Sequence, residues 1–186
     1  MNRCYAGIGG RNTPKNVLIA MVHEAGQLAG MGYILRSGGA SGADSAFETG
    51  VDMYEKKQGI TEPTHKEIYL PWKNFNDNKS DFYLSWNIEQ KFLDIIGYVN
   101  PSLLSCKHSI ISLHARNCQQ ILGKNLDSPC SFVLCWTDRD TAWCSGTMFA
   151  VRLAELNNIP VFNMFKKEWI NRYGEFLDNN KKVVNK

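Results

Sequence analysis

The sequence predicts a doubly wound α/β fold, a mostly parallel sheet of about five or more strands with helices on both faces. Three observations predict it. Short apolar, β-rich runs alternate with longer helical patterns along the chain, as a parallel sheet with helical crossovers requires. The unit strand, glycine turn, helix occurs twice near the start, at Gly7 to Gly10 and again at Gly38 to Gly42. No internal repeat, low-complexity stretch or long linker divides the 186 residues, so one domain over 1–186 with a basic tail at 178–186 is expected.

Arg3 to Ile8 reads as the first strand. Thr13 as N-cap and Pro14 at the first helical position open a helix. Its apolar stripe is Val17, Leu18, Met21, Val22, Ala25, Leu28 and Ala29, and Gly30 and Gly32 can end it. Tyr33 to Ser37 is the second strand. A helix starting near Ala43 and Asp44 buries Phe47, Val51 and Tyr54. Glu67 to Leu70, closed by Pro71 and Trp72, is the third strand. Two helices follow, one carrying Trp86, Phe92, Ile95 and Ile96, the other running from about Ser109 to Leu122. Phe132 to Trp136 is the fourth strand, Thr147 to Leu156 a helix, Ile159 to Asn163 the last strand, and a helix around Trp169 to Leu177 covers one face.

Composition narrows the function classes. Twenty-one Lys and Arg against eighteen Asp and Glu leave +3, too small a charge to argue alone for a polyanion partner. The six cysteines include no C-x-x-C pair and the four histidines no H-x-x-x-H pair. Reduced, mostly buried thiols and no structural metal are expected. No apolar run approaches the ~20 residues that span a bilayer, and the N-terminus lacks a signal-peptide core. A cytoplasmic protein without a membrane partner is the expectation.

Ligands on open α/β sheets bind beyond the carboxyl ends of the strands, where strand-to-helix turns meet. Three such turns are rich in small residues: Gly7-Ile8-Gly9-Gly10, Gly38-Gly39-Ala40-Ser41-Gly42 and Cys144-Ser145-Gly146-Thr147. Glycine permits close backbone approach, and the first N–H groups of the following helix favour anions. Phosphate is the natural occupant. Neither a G-x-G-x-x-G nor a G-x-x-x-x-G-K-[ST] fingerprint is present, since Asn12 takes the place of the last dinucleotide glycine; common dehydrogenases and P-loop NTPases are disfavoured.

At these residues the chain resembles the Rossmann-like superfamily that joins DNA-processing protein A (DprA) with the LOG phosphoribohydrolases, often called SLOG. Tyr5-Ala6-Gly7-Ile8-Gly9-Gly10-Arg11 is similar to its opening strand and turn, and Arg36 to Asp44 to its second glycine loop. Ser145-Gly146-Thr147 with Ala150 to Ala154, and Ile159 to Asn163, are similar to its last phosphate-side turn and strand. His114-Ala115-Arg116-Asn117, Leu122-Gly123 and Leu134-Cys135-Trp136-Thr137 resemble stand-alone members common in bacteriophage genomes. The match runs from about Tyr5 to Asn163. It implies a nucleotide or nucleotide-derived signalling ligand, with sequestration of an immune signal for a phage as one role. Single-stranded DNA binding as a DprA-like recombination mediator is an alternative, although DprA relatives usually carry additional domains. LOG-like hydrolysis of a nucleotide N-glycoside is another. LOG enzymes use a glutamate three residues after the threonine of their turn; here that place is Ala150, so the expectation leans away from catalysis, and no cofactor is expected.

The ligand-binding residues expected are Gly9, Gly10, Arg11, Gly38, Gly39, Ala40, Ser41, Asp44, Arg116, Asn117, Trp136, Thr137, Ser145, Gly146 and Thr147. Arg11 can clamp a phosphate bidentately or be an ordinary surface arginine. Asp44 can bond a ribose or base edge, or simply favour the positive end of its helix. Ser41 and Thr147 offer hydroxyls that also suit turns and caps. Arg116 and Asn117 can face the site from a helix or lie on an exposed face. Asp138, Arg139 and Asp140 read as a polar loop with acid–base or metal capacity as the alternative. Trp72, Trp136 and Trp143 can stack on a base or fill core and rim. Glu48 and Glu155 can stand in for the missing acid. The expected partner is a nucleotide-like small molecule bound by a homo-oligomer, with single-stranded DNA as the alternative.

Overall fold

A computed structural model describes residues 3–62, 64–138 and 145–184, with side chains described as far as residue 180. Among the described residues five parallel strands form one sheet: β1 (Cys4–Gly9), β2 (Ile34–Ser37), β3 (Lys66–Ile68), β4 (Phe132–Trp136) and β5 (Val161–Asn163). Their order is β3-β2-β1-β4-β5. The chain thus winds outward from β1 in one direction, then returns to β1's other side and winds the opposite way. The reversal falls between β1 and β4, where Ile8 pairs with Cys135 and Gly9 with Trp136.

Among the described residues six α-helices cover the sheet: α1 (Lys15–Gly30), α2 (Ala43–Gln58), α3 (Gln90–Val99), α4 (His108–Leu122), α5 (Gly146–Leu156) and α6 (Trp169–Val184). Side-chain alternation along the central strands feeds two separate cores. Cys4, Ala6, Ile8, Val133 and Cys135 face α3, α4 and α5; Tyr5, Leu35, Phe132 and Leu134 face α1, α2 and α6. Tyr5 stacks on Phe132 with ring centroids 5.4 Å apart. Gly7 has to be small, because a Cβ there would come within 2.7 Å of both Leu35 and Phe47. Its absence lets α2 close on β1.

Several local expectations are corrected. Pro14, not Thr13, occupies the N-cap of α1. Thr13 turns its hydroxyl back to donate to the Gly10 carbonyl at 2.7 Å, which closes the first turn instead of capping the helix. Trp86 is outside α3: its ring stacks on His108, and the helix starts only at Gln90. Strand β3 ends at Ile68, and Leu70 pairs with Tyr83 in an isolated bridge. Pro160 lies before β5, where its carbonyl accepts from Val133 N–H. The last helix runs through Val184 into the basic segment. Cys4, Cys118, Cys130 and Cys135 are free and buried, and Cys106 is free and half-buried. Among the described residues no helix is long and apolar enough to cross a membrane.

Candidate functional site

The three small-residue turns meet at the carboxyl edge of the sheet. The second rides directly on the first: a Cβ on Gly42, whose φ is +91°, would sit 2.8 Å from Arg11 Cα and 2.9 Å from the Gly10 carbonyl oxygen. The third is fastened by α4, where Asn117 Nδ2 donates to the Gly146 carbonyl at 3.0 Å. Ser145 caps α5 by accepting from Met148 N–H at 3.1 Å. The N–H groups of Gly146 and Thr147 precede the first intrahelical bond and so have no acceptor within the helix.

A crevice of about 290 Å³ opens between these turns. Gly9, Gly10 and Arg11 line it from the first turn, Ala40 and Asp44 from the second, and Ser145, Gly146 and Thr147 from the third. Helix α4 contributes Arg116, Asn117 and Gln120. A neighbouring depression of about 310 Å³ shares Gly10, Arg11, Ser145 and Thr147 and adds Trp136, Thr137 and Asp138. The backbone of Thr137 is fixed there by Asn163, which accepts its N–H at 3.1 Å and donates to its carbonyl at 2.9 Å.

Three expected residues lie outside both linings. Ser41 is exposed. Gly38 acts from behind: a Cβ there would fall 1.2 Å from Arg116 Nη1, so the glycine makes room for the guanidinium. Gly39, at φ +64°, gives its N–H to Glu48 Oε1 at 3.2 Å, and the Ala40 N–H is directed to Asp44 Oδ2 at 3.3 Å. The amides of the second turn are thus engaged by carboxylates of α2. That turn shapes the crevice while the first and third turns line it with backbone.

Arg116 and Asp44 are both buried, at 6% and 3% exposure, and pair at 3.1 Å. Burial works against both charges, pushing the Asp44 carboxyl above its ordinary range and the Arg116 guanidinium below its own; each partner offsets the other's penalty. The charge of Arg11 also disfavours that of Arg116. Arg116 Nη1 additionally reaches Gln120 Oε1 at 3.3 Å, yet Arg116 Nε and Gln120 Nε2 have no acceptor. Gln120 was not among the expected residues; its i+4 spacing from Arg116 was the available signal.

Among the described lining residues of the crevice Asp44 is the one carboxylate, and Arg116 holds it. Ala150 also lines the crevice and presents a methyl group. Glu48 lies behind the second turn, accepting from Ser37 Oγ at 2.6 Å, and burial pushes its carboxyl up to about 7. Glu155 is exposed beside Arg152 and lines a different cavity, by α6. Trp72 is exposed and borders a separate groove. Arg139, Asp140 and Trp143 lie outside the described residues.

The fold and the converging turns define a Rossmann-like α/β protein with a DprA-like arrangement of sheet and helices. Among solved structures the chain is similar to DNA processing protein A from Helicobacter pylori, described for its single-stranded DNA binding mode. The two share 18% identity and a TM-score of 0.53, over 94% of this chain and 72% of the other. No protein-family model and no curated protein matches the sequence.

Proposed function

We propose that the crevice binds the phosphate of a nucleotide or nucleotide-derived signalling ligand, in a cytoplasmic SLOG protein acting as a homo-oligomer. One observation carries this reading. Arg11 and Arg116 line the same crevice as the start of α5, where the N–H groups of Gly146 and Thr147 have no acceptor within the helix. An anionic guest accepts from those N–H groups and screens Arg11 from Arg116. Helix start, glycine turn and Arg11 make the pocket electropositive, the charge of Arg116 being balanced by Asp44. Sequestration of an immune signal for a phage is the role that the resemblance to phage-type members supports.

Calorimetric titration with nucleoside monophosphates and inorganic pyrophosphate tests the proposal. Binding is expected for the wild type, and Arg11→Ala is expected to weaken it tenfold or more with little change in melting temperature, because Arg11 is exposed. Absence of binding by every such ligand at millimolar concentration overturns it.

A second reading, binding of single-stranded DNA, is favoured by the fold likeness to DNA processing protein A. It requires affinity for oligonucleotides well above that for mononucleotides, falling steeply with salt as phosphates are engaged. Glycoside hydrolysis has no comparable support, since Ala150 presents no acid and Asp44 is held by Arg116.

A further inference from the structure

A second concavity lies away from the crevice, between the segment after β3 and the first turn of α4, with a volume of about 670 Å³. Trp72, Tyr83 and Trp86 stand in its walls and are exposed, Trp86 by 78%. Large apolar rings gathered in water mark a surface that serves a partner. Each ring is held in place. The Leu70 N–H donates to the Phe82 carbonyl at 2.7 Å and the Leu84 N–H to the Leu70 carbonyl at 3.1 Å, which fastens the wall carrying Tyr83 to the wall carrying Trp72. The Trp72 ring stands edge-on to buried Phe75, with centroids 5.1 Å apart. The Trp86 ring stacks on the His108 imidazole at 4.1 Å with planes 18° from parallel. His108 Nε2 lies 2.8 Å from the Trp86 carbonyl oxygen and donates to it in the tautomer that protonates Nε2.

Rigid aromatic walls suit an occupant that is itself stiff, because docking then costs little ordering entropy. A polyproline II segment is such an occupant. Its φ angles are preset by the proline rings, and its backbone makes no internal hydrogen bonds. Its carbonyls are therefore open to donors of the kind these walls carry, the indole N–H groups of Trp72 and Trp86 and the Tyr83 hydroxyl. Aromatic-lined grooves take proline-rich segments by this means. Charge selects what flanks the prolines. Lys73 and Lys107 line the groove, and among the described residues no carboxylate does. Lys73 Nζ stands 5.9 Å from the centre of the Tyr83 ring, beside the aromatic wall. A second copy of the chain is disfavoured, since a two-fold contact sets this basic patch against itself.

We infer that this groove docks an extended, proline-rich segment of a partner protein that carries Asp or Glu at its flank, with prolines packed on Trp72 and Trp86 and the acidic flank against Lys73 and Lys107. Among the described residues the groove and the crevice share no lining residue. The inference therefore goes beyond the crevice reading and does not depend on it.

The probe is a labelled oligoproline peptide closed by three glutamates, titrated into the full chain and read by tryptophan fluorescence and by anisotropy. Control peptides carry lysines in place of the glutamates, or glycines in place of the prolines. The wild type is expected to bind the glutamate-flanked peptide at submillimolar concentration, to bind the lysine-flanked one more weakly, and to leave the glycine one unbound. Trp86→Ala is expected to weaken the peptide about tenfold while leaving mononucleotide titrations as they are in wild type. Lys73→Glu combined with Lys107→Glu, at two exposed positions, is expected to reverse the flank preference, a result that misfolding cannot produce. Three outcomes overturn the inference: no binding of the glutamate-flanked peptide at millimolar concentration, a Trp86→Ala affinity within twofold of wild type, or an unreversed flank preference. Trp86-dependent binding of oligo-dT in place of the peptide assigns the groove to a nucleic acid, and a smaller oligomer of Trp86→Ala in sedimentation assigns it to a second copy; either overturns the inference as well. Peptide and mononucleotide are titrated separately, so the groove and the crevice readings fail separately.

Discussion

Arg116 Nη1 donates to Asp44 Oδ2 at 3.1 Å, tying the middle of α4 to the first turn of α2 across the floor of the crevice. Both side chains are buried, so neither charge can be left alone cheaply. Asp44→Ala is expected to destabilise the protein by about 3–5 kcal/mol by stranding the guanidinium. Adding Arg116→Met should recover a large part of that loss. Urea unfolding of the single and double variants reads both effects; equal stability of Asp44→Ala and wild type would show that the pair is not buried in solution.

Glycine substitutions at the crevice separate shape from lining. Gly38→Ala drives a Cβ into the Arg116 guanidinium and is expected to cost about 1–3 kcal/mol, together with ligand affinity. Gly10→Ala meets nothing closer than 3.9 Å, so its stability should stay within about 0.5 kcal/mol of wild type. Thermal melts of the two variants give the contrast, and the reverse order of stabilities contradicts the placement of Gly38 against Arg116.

Glu48 makes stability depend on pH. Its folded carboxyl titrates at about 7, raised from 4.5 by burial, despite the bonds from Ser37 and Gly39. The native state therefore holds an extra proton between those values, and its contribution, complete below pH 4.5, is lost as pH rises through 7. Glu48→Gln keeps an oxygen for both donors and removes the titration. At pH 8 the variant should exceed wild type by an amount of order 2 kcal/mol, with the gap closing near pH 4.5. A gap independent of pH in chemical denaturation would assign the effect to something other than this proton.

His114 acts with the opposite sign. Burial, then the charge of Arg116, hold its imidazole down at about 4 from an ordinary 6.5, and its ring lies 4.6 Å from that of Phe149. The unfolded chain takes up the proton first as pH falls, so this contribution is present above 6.5 and lost down through 4. His114→Gln is expected to flatten acid unfolding over that window, measured as the pH midpoint at fixed urea. An unchanged midpoint contradicts a buried neutral imidazole.

The sequence by itself determined what depends on local repetition. Short apolar, β-rich runs beside turn signals located each described strand within a few residues, Phe132 to Trp136 to the residue. Glycine turns before helices marked the sheet edge that carries the crevice. Tertiary structure decided which polar groups face inward. From His114 to Leu122 every residue of α4 is buried, because the helix is packed between the sheet and its neighbours α3 and α5. Without an exposed face this part of the helix shows no stripe that would assign Arg116 or Gln120 a direction. The same holds for Gly38, Gly39 and Ser41. Their spacing announced a turn, but only the carboxylates of Asp44 and Glu48, folded back from α2 onto that turn, fixed where its amides point. Periodicity reports the average environment of an element, whereas a hydrogen bond between distant residues exists only once the chain has brought them together.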